Sequence, residues 1–170
     1  MLLPADAVIA EFPIEHISVR TDTPFSLVVQ RLEAETGLFD LADVGRRLSG
    51  GESPASVINA INAMAGTSGF MRFFAADHGA ILRLHGQPAD AVRFLIGHPL
   101  IAARMTKRAI SSALYAPLSL LAVSDGDGTR LEYDRPSSIF AQFNDPEIDN
   151  VAHELDEKLD AMIQSITRRQ

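Results

Sequence analysis

The tetrapeptide Asp125-Gly126-Asp127-Gly128 interrupts a run rich in strand-forming apolar residues and leaves that run little conformational choice. Asp and Gly tolerate the positive φ that a tight reversal requires. The flanks, Leu118 to Ser124 and Thr129 to Asp134, therefore read as the two arms of a β-hairpin.

The other elements follow from periodicity and capping residues. His16-Ile17-Ser18-Val19-Arg20 alternates as a half-buried strand does, and Thr21-Asp22-Thr23-Pro24 opens a helix with Thr23 as N-cap and Pro24 at N1. Phe25, Val28, Val29 and Leu32 recur at helical spacing, and Gly37 stands where a left-handed C′ residue ends a helix. After a break at Ser49-Gly50-Gly51-Glu52, Ser53 and Pro54 open a second helix, which Gly66 stops. Phe70 to Ala75 reads as a mostly buried strand with Asp77-His78-Gly79 as its polar exit. Ala91 to Ile96 reads as a central strand that ends at Gly97, and His98-Pro99 begins a further helix. Asp145-Pro146-Glu147 caps a long helix whose Ile148, Val151, Leu155, Leu159, Met162 and Ile166 form one apolar face, with Arg168-Arg169 at its end.

Too few strands alternate with helices for a doubly wound parallel sheet. The order predicts an α+β fold, a mainly antiparallel sheet with helices on one face, and a helical insertion over 38–68 after the first helix. A length of 170 residues suits one domain spanning 1–170.

Composition narrows the chemistry. The absence of cysteine excludes disulfides, Cys-based zinc sites, iron–sulfur clusters and thiolate nucleophiles. Met1-Leu2-Leu3-Pro4-Ala5-Asp6 has no basic n-region, and no apolar run approaches the ~20 residues of a spanning helix, so a cytoplasmic, non-membrane protein is expected. A net charge of −7 disfavours nucleic acid. Between Met71 and Ile110 six basic residues meet only two acids, whereas seven acids meet three bases from Ser137 onward. Phe70, Phe73, Phe74 and Phe94 in or beside the basic stretch read as core rather than as base-stacking platforms.

The candidate site collects where strands end. His78 and His98 each follow a strand, Tyr133-Asp134 closes the last one, and with Asp77, Phe70, Phe73 and Phe94 they form a candidate half-apolar pocket between sheet and helices. Gly97-His98, with Arg104 downstream, is a candidate anion site at a helix start; the plain alternative is a tight turn that needs Gly97 for its backbone angle. The five histidines show no metal-ligand spacing and no nucleophile elbow is present, so neither a metal nor a catalytic set is assigned, and the cofactor stays open.

His16-Ile17-Ser18-Val19-Arg20-Thr21, Thr23-Pro24-Phe25, Gly69-Phe70, Asp77-His78, Phe94-Leu95-Ile96-Gly97-His98-Pro99, Ala113-Leu114-Tyr115-Ala116-Pro117-Leu118, Leu120-Leu121-Ala122-Val123 and Tyr133-Asp134-Arg135-Pro136 follow one another in a specific order. By these motifs the chain resembles the bacterial and archaeal family known as domain of unknown function 302. The resemblance implies a layout like that of the TATA-binding protein, with a curved antiparallel sheet, helices on one face and frequent pairing as a homodimer. It implies no activity, and likeness of layout to a DNA-binding fold does not carry DNA binding. On this reading the family core spans 16–144, with 38–68 inserted and 145–170 as a terminal helix. The family's usual Gly-Asn-Pro is Gly97-His98-Pro99 here.

Three functions compete. The first is a non-catalytic small-ligand-binding or accessory domain acting as a homodimer. The second is an enzyme with His78 or His98 as general base oriented by Asp77 or Asp134, which requires both histidines to face one cavity. The third is a protein-interaction module that uses the inserted segment.

Overall fold

The structure is a computed structural model and describes Pro4 and residues 6–168. Most of the expected leader-free start and Arg169 of the terminal helix lie outside the described residues. In chain order the elements are β1 (His16–Thr21), α1 (Phe25–Glu35), β2 (Gly37–Leu38), α2 (Leu41–Ser49), α3 (Pro54–Ala63), β3 (Met71–Asp77), α4 (His78–Leu84), β4 (Ala91–Gly97), α5 (Pro99–Thr106), β5 (Leu118–Asp125), β6 (Gly128–Asp134), α6 (Pro136–Phe140) and α7 (Pro146–Thr167). Short 3-10 turns follow α5 and α6.

The six strands form one open sheet in the order β1-β6-β5-β4-β3-β2, antiparallel except for the β2–β3 pair. The expected α+β class and the 125–128 hairpin are borne out, with Asp125 opposite Gly128 and Gly126 at φ 62°. Phe94 and Ile96 of β4, Leu120 and Ala122 of β5 and Leu131 of β6 turn to one face, where α1 and α7 cover them. Nine residues of α7 are buried at three- and four-residue steps, so this amphipathic helix closes the main core. Phe70, Phe94 and Phe140 are completely buried in it, each contributing about 1.5–3 kcal/mol. The segment over 38–68 is largely helical, as expected, and Val44, Val57 and Ile61 of α2 and α3 bury Met71 in a smaller second core.

Local readings are borne out at three caps. Ser53, His98 and Asp145 each accept a backbone N–H of the helix they open, followed in every case by proline. Four others need correction. Thr23 does not cap α1, which starts one residue later; its hydroxyl instead donates to the Thr167 carbonyl at 3.0 Å, tying the α1 entrance to the end of α7. Gly37 is not a left-handed C′ residue but the first residue of β2, and α3 ends at Ala63 with Met64 as its C-cap, shortly before the Gly66 expected to stop it. Asp77-His78-Gly79 is not an exit loop: the Asp77 carboxylate accepts from Ala80 N–H at 2.8 Å and opens the unforeseen helix α4. Finally, β3 is not mostly buried, since its outer half is exposed and Phe74 shows 59% of its surface. Among the described residues no helix is long and apolar enough to cross a membrane.

Candidate functional site

The eight side chains grouped by sequence do not gather at one place. Phe70 and Phe94 are solid core. Phe73 and His98 line a cleft of about 120 Å³ between α5 and the adjoining ends of β4 and β5. His78 and Asp134 border an open groove of about 510 Å³ on the uncovered sheet face, which Tyr133 edges while its side chain turns to the other face. Asp77 caps α4 and is exposed.

The cleft is built by packing of distant elements. β4 ends at Gly97, His98 turns the chain, and α5 leaves at an angle that holds Ile101, Ala102 and Met105 over the opening. Pro117 and Leu118 supply the β5 side, Phe140 of α6 and Leu155 of α7 the remaining wall. Gly97 is not required by its backbone angle, because its φ is not positive. A Cβ there would meet Pro117 Cβ at 3.5 Å and Phe73 Cε2 at 3.6 Å, ordinary contact on the cleft wall.

His98 is the polar side chain of this apolar lining. Its Nδ1 accepts from Leu100 N–H at 3.3 Å. That contact assigns the neutral tautomer with the proton on Nε2, which leaves one hydrogen-bond donor on the ring. Burial and, secondarily, the Lys158 charge hold the His98 pKa below the usual histidine value.

The anion site expected from Gly97, His98 and Arg104 does not form. Arg104 sits in the last turn of α5 and grips Glu154 of α7 through contacts of 2.6 and 2.9 Å. Arg108 similarly pairs with Asp145, so two members of the basic stretch serve to fasten α5 and its exit to the acidic helix rather than to present a patch. The N–H groups of Leu100, Ile101 and Ala102 are already satisfied by His98 itself.

The expected general-base pairs are also corrected. His78 and His98 line different concavities. Asp134 instead meets His16 Nδ1 at 2.8 Å across the β1–β6 register, a pairing absent from the sequence reading. A carboxylate opposite a histidine on neighbouring strands becomes visible only once that register is known. Both partners are about half exposed, at 58% and 47%, so nothing excludes water from them. Tyr133 points to the covered face, where its hydroxyl donates to Asp160 at 3.1 Å. Burial, reinforced by Asp160, raises its pKa to about 12. Among the described residues no group of three His, Asp or Glu side chains is placed to hold a metal.

No curated protein matches this chain in sequence. The crystal structure of the uncharacterized conserved protein DUF302 from Bacillus stearothermophilus is similar to it with a TM-score of 0.62, over 90% of this chain and 98% of that one, at 17% identity. Likeness at that identity shows a shared fold. The family described as "Domain of unknown function DUF302" matches residues 44–166, a span that runs from α2 into the last turn of α7 and contains every residue lining the cleft. With that match over most of its length and the same fold in a solved DUF302 protein, the chain belongs to the DUF302 family.

Proposed function

We propose that this protein is a non-catalytic small-ligand-binding domain that works as a homodimer, with the α5 cleft as its binding site. The observation that carries this reading is an apolar hollow with one oriented donor, the His98 Nε2–H. Binding sites typically combine apolar walls with a few polar groups that fix orientation. The walls come from β3, β4, α5, β5, α6 and α7, so the hollow is framed by helices and strands distant in sequence. The uncovered sheet face, with Leu95, Leu121 and Val123 half-buried beside exposed Phe74, supports the dimer reading.

Native mass spectrometry of gently purified protein tests both parts. The expected result is a dimer carrying a small added mass that is released on denaturation and absent from Ala102→Leu, which fills the cleft. An unliganded monomer overturns both parts of the reading. An adduct retained by Ala102→Leu places the ligand elsewhere.

A second reading has an observation of its own. The inserted segment exposes Leu38, Leu41 and Leu48, the last two 70% and 62% accessible, and such grouping of apolar residues marks interaction surfaces. On that reading a Leu41→Glu, Leu48→Glu double variant folds normally and loses a protein partner; retained capture counts against it.

A further inference from the structure

A lysine stands on α7 one turn beyond the cleft wall. Leu155 of α7 lines the cleft, and Lys158 follows three residues later on the same side of the helix. Its ammonium reaches over Gly69, where an added Cβ would lie 2.8 Å from Nζ. Gly69 has φ 77°, a backbone conformation that favours glycine. The β3–β4 register sets Met71 opposite Gly97, which brings the Gly69–Phe70 approach and His98 to one end of the sheet. The Lys158 charge is near enough to His98 to disfavour its protonation.

Among the described residues Lys158 makes no ion pair. Glu154, one turn earlier and within reach of the Lys158 charge, is held by Arg104 through both carboxylate oxygens. An ammonium whose neighbouring carboxylate is engaged by Arg104 and one imidazole N–H thus stand near an apolar hollow.

The geometry points to a small monocarboxylate as the ligand: its apolar chain lies among Phe73, Ile101, Met105, Leu118 and Phe140, and its carboxylate accepts from Lys158 Nζ and His98 Nε2. This inference rests on the reading of the cleft as a binding site. Two donors facing two carboxylate oxygens satisfy each other, and the ammonium makes the contact charge-assisted. A carboxamide of the same shape must turn its NH₂ toward one of those donors and leaves it unpaired. Size limits the chain, because an apolar cavity of about 150 Å³ accommodates benzene and the cleft measures about 120 Å³. Acids of about four to six carbons fit that space.

The test uses isovalerate and isovaleramide, followed by the Met105 methyl resonance in the intact protein. The acid is expected to bind at least about tenfold more tightly than the amide, the lower end of what a charge-assisted hydrogen bond contributes. Lys158→Met and Lys158→Gln are expected to erase that preference while the amide affinity stays within about twofold. Equal affinity for acid and amide in the wild-type protein overturns the carboxylate assignment and leaves the cleft as a site for neutral ligands. A Met105 methyl that neither compound moves overturns the assignment together with the cleft reading. Comparison of the two compounds on wild-type protein decides the matter even if both variants fail to fold.

Discussion

The N–H groups of Gly37 and Gly66 converge on one acceptor, the Phe70 carbonyl, each at 3.0 Å. Their backbones cross in contact: a Cβ on Gly37 would lie 1.7 Å from Met64 O, and one on Gly66 2.2 Å from Glu35 O. This crossing fixes the strand β2, the exit of α3 and the approach to β3 relative to one another. Gly69, whose N–H donates to the Gly66 carbonyl at 2.9 Å, hangs from the same junction.

Gly37→Ala is therefore expected to destabilise the protein by at least about 2 kcal/mol, since backbone atoms cannot swing aside as a flexible side chain can. Gly45, inside α2, has nothing within 4 Å of where an alanine methyl would stand, and Gly45→Ala should stabilise by about 0.5–1 kcal/mol. Urea unfolding of the two variants measures both signs; a harmless Gly37→Ala contradicts the crossing.

Acid should weaken the fold partly through His98. Its folded-state pKa is depressed below the ordinary value of about 6.5, by burial first and by Lys158 second. The contribution of the neutral ring is thus complete above that ordinary value and is lost as pH falls toward the depressed one. In His98→Asn the amide oxygen can take over the cap to Leu100 N–H without titrating. Unfolding curves at pH 7.5 and 5 should show the larger loss in the wild-type protein, and parallel losses would refute the assignment.

Alkaline titration reports on the surroundings of Tyr133. Tyr133 should ionise only near pH 12, where burial and Asp160 oppose the phenolate. Asp160→Asn removes the charge and should bring its absorbance transition to lower pH. An unmoved transition would show that Asp160 does not act on Tyr133.

The Arg104–Glu154 pair joins α5 to α7 but is nearly half exposed on both sides. A double-mutant cycle with Arg104→Ala and Glu154→Ala should give a coupling of about 0.2–1 kcal/mol that shrinks in high salt. A coupling well above that range would mean that the pair, rather than the apolar contacts of Met105 and Leu155, holds α5 in place.

The legible parts of this fold are those with local causes. The Asp125–Gly128 turn and the Ser53, His98 and Asp145 caps lie beside the residues they organise, and each is visible within four positions of sequence. Gly37 misleads because a C′ glycine and a close-approach glycine look alike until the crossing segment, here the loop after α3 that carries Gly66, is known. Helix α4 escapes a sequence reading although Asp77 is a proper cap, because seven residues beginning His78-Gly79 give little periodicity. At the site, Phe73, Gly97 and His98 are legible at the strand end. Phe140, Leu155 and Lys158 are not, since α6 and α7 reach the cleft only through tertiary packing. The His16–Asp134 contact depends in the same way on the register of first and last strands.

The central claim is that the α5 cleft takes up a ligand, and the methionine methyl groups report on it directly. Met105 lines the cleft, whereas Met162 lies in the main core and Met71 in the second. In a methyl-labelled spectrum titrated with short-chain carboxylates, the account predicts a saturable shift of the Met105 resonance with Met162 and Met71 unmoved, abolished in Ala102→Leu. A Met105 resonance that stays still, or one that shifts equally in Ala102→Leu, would contradict it.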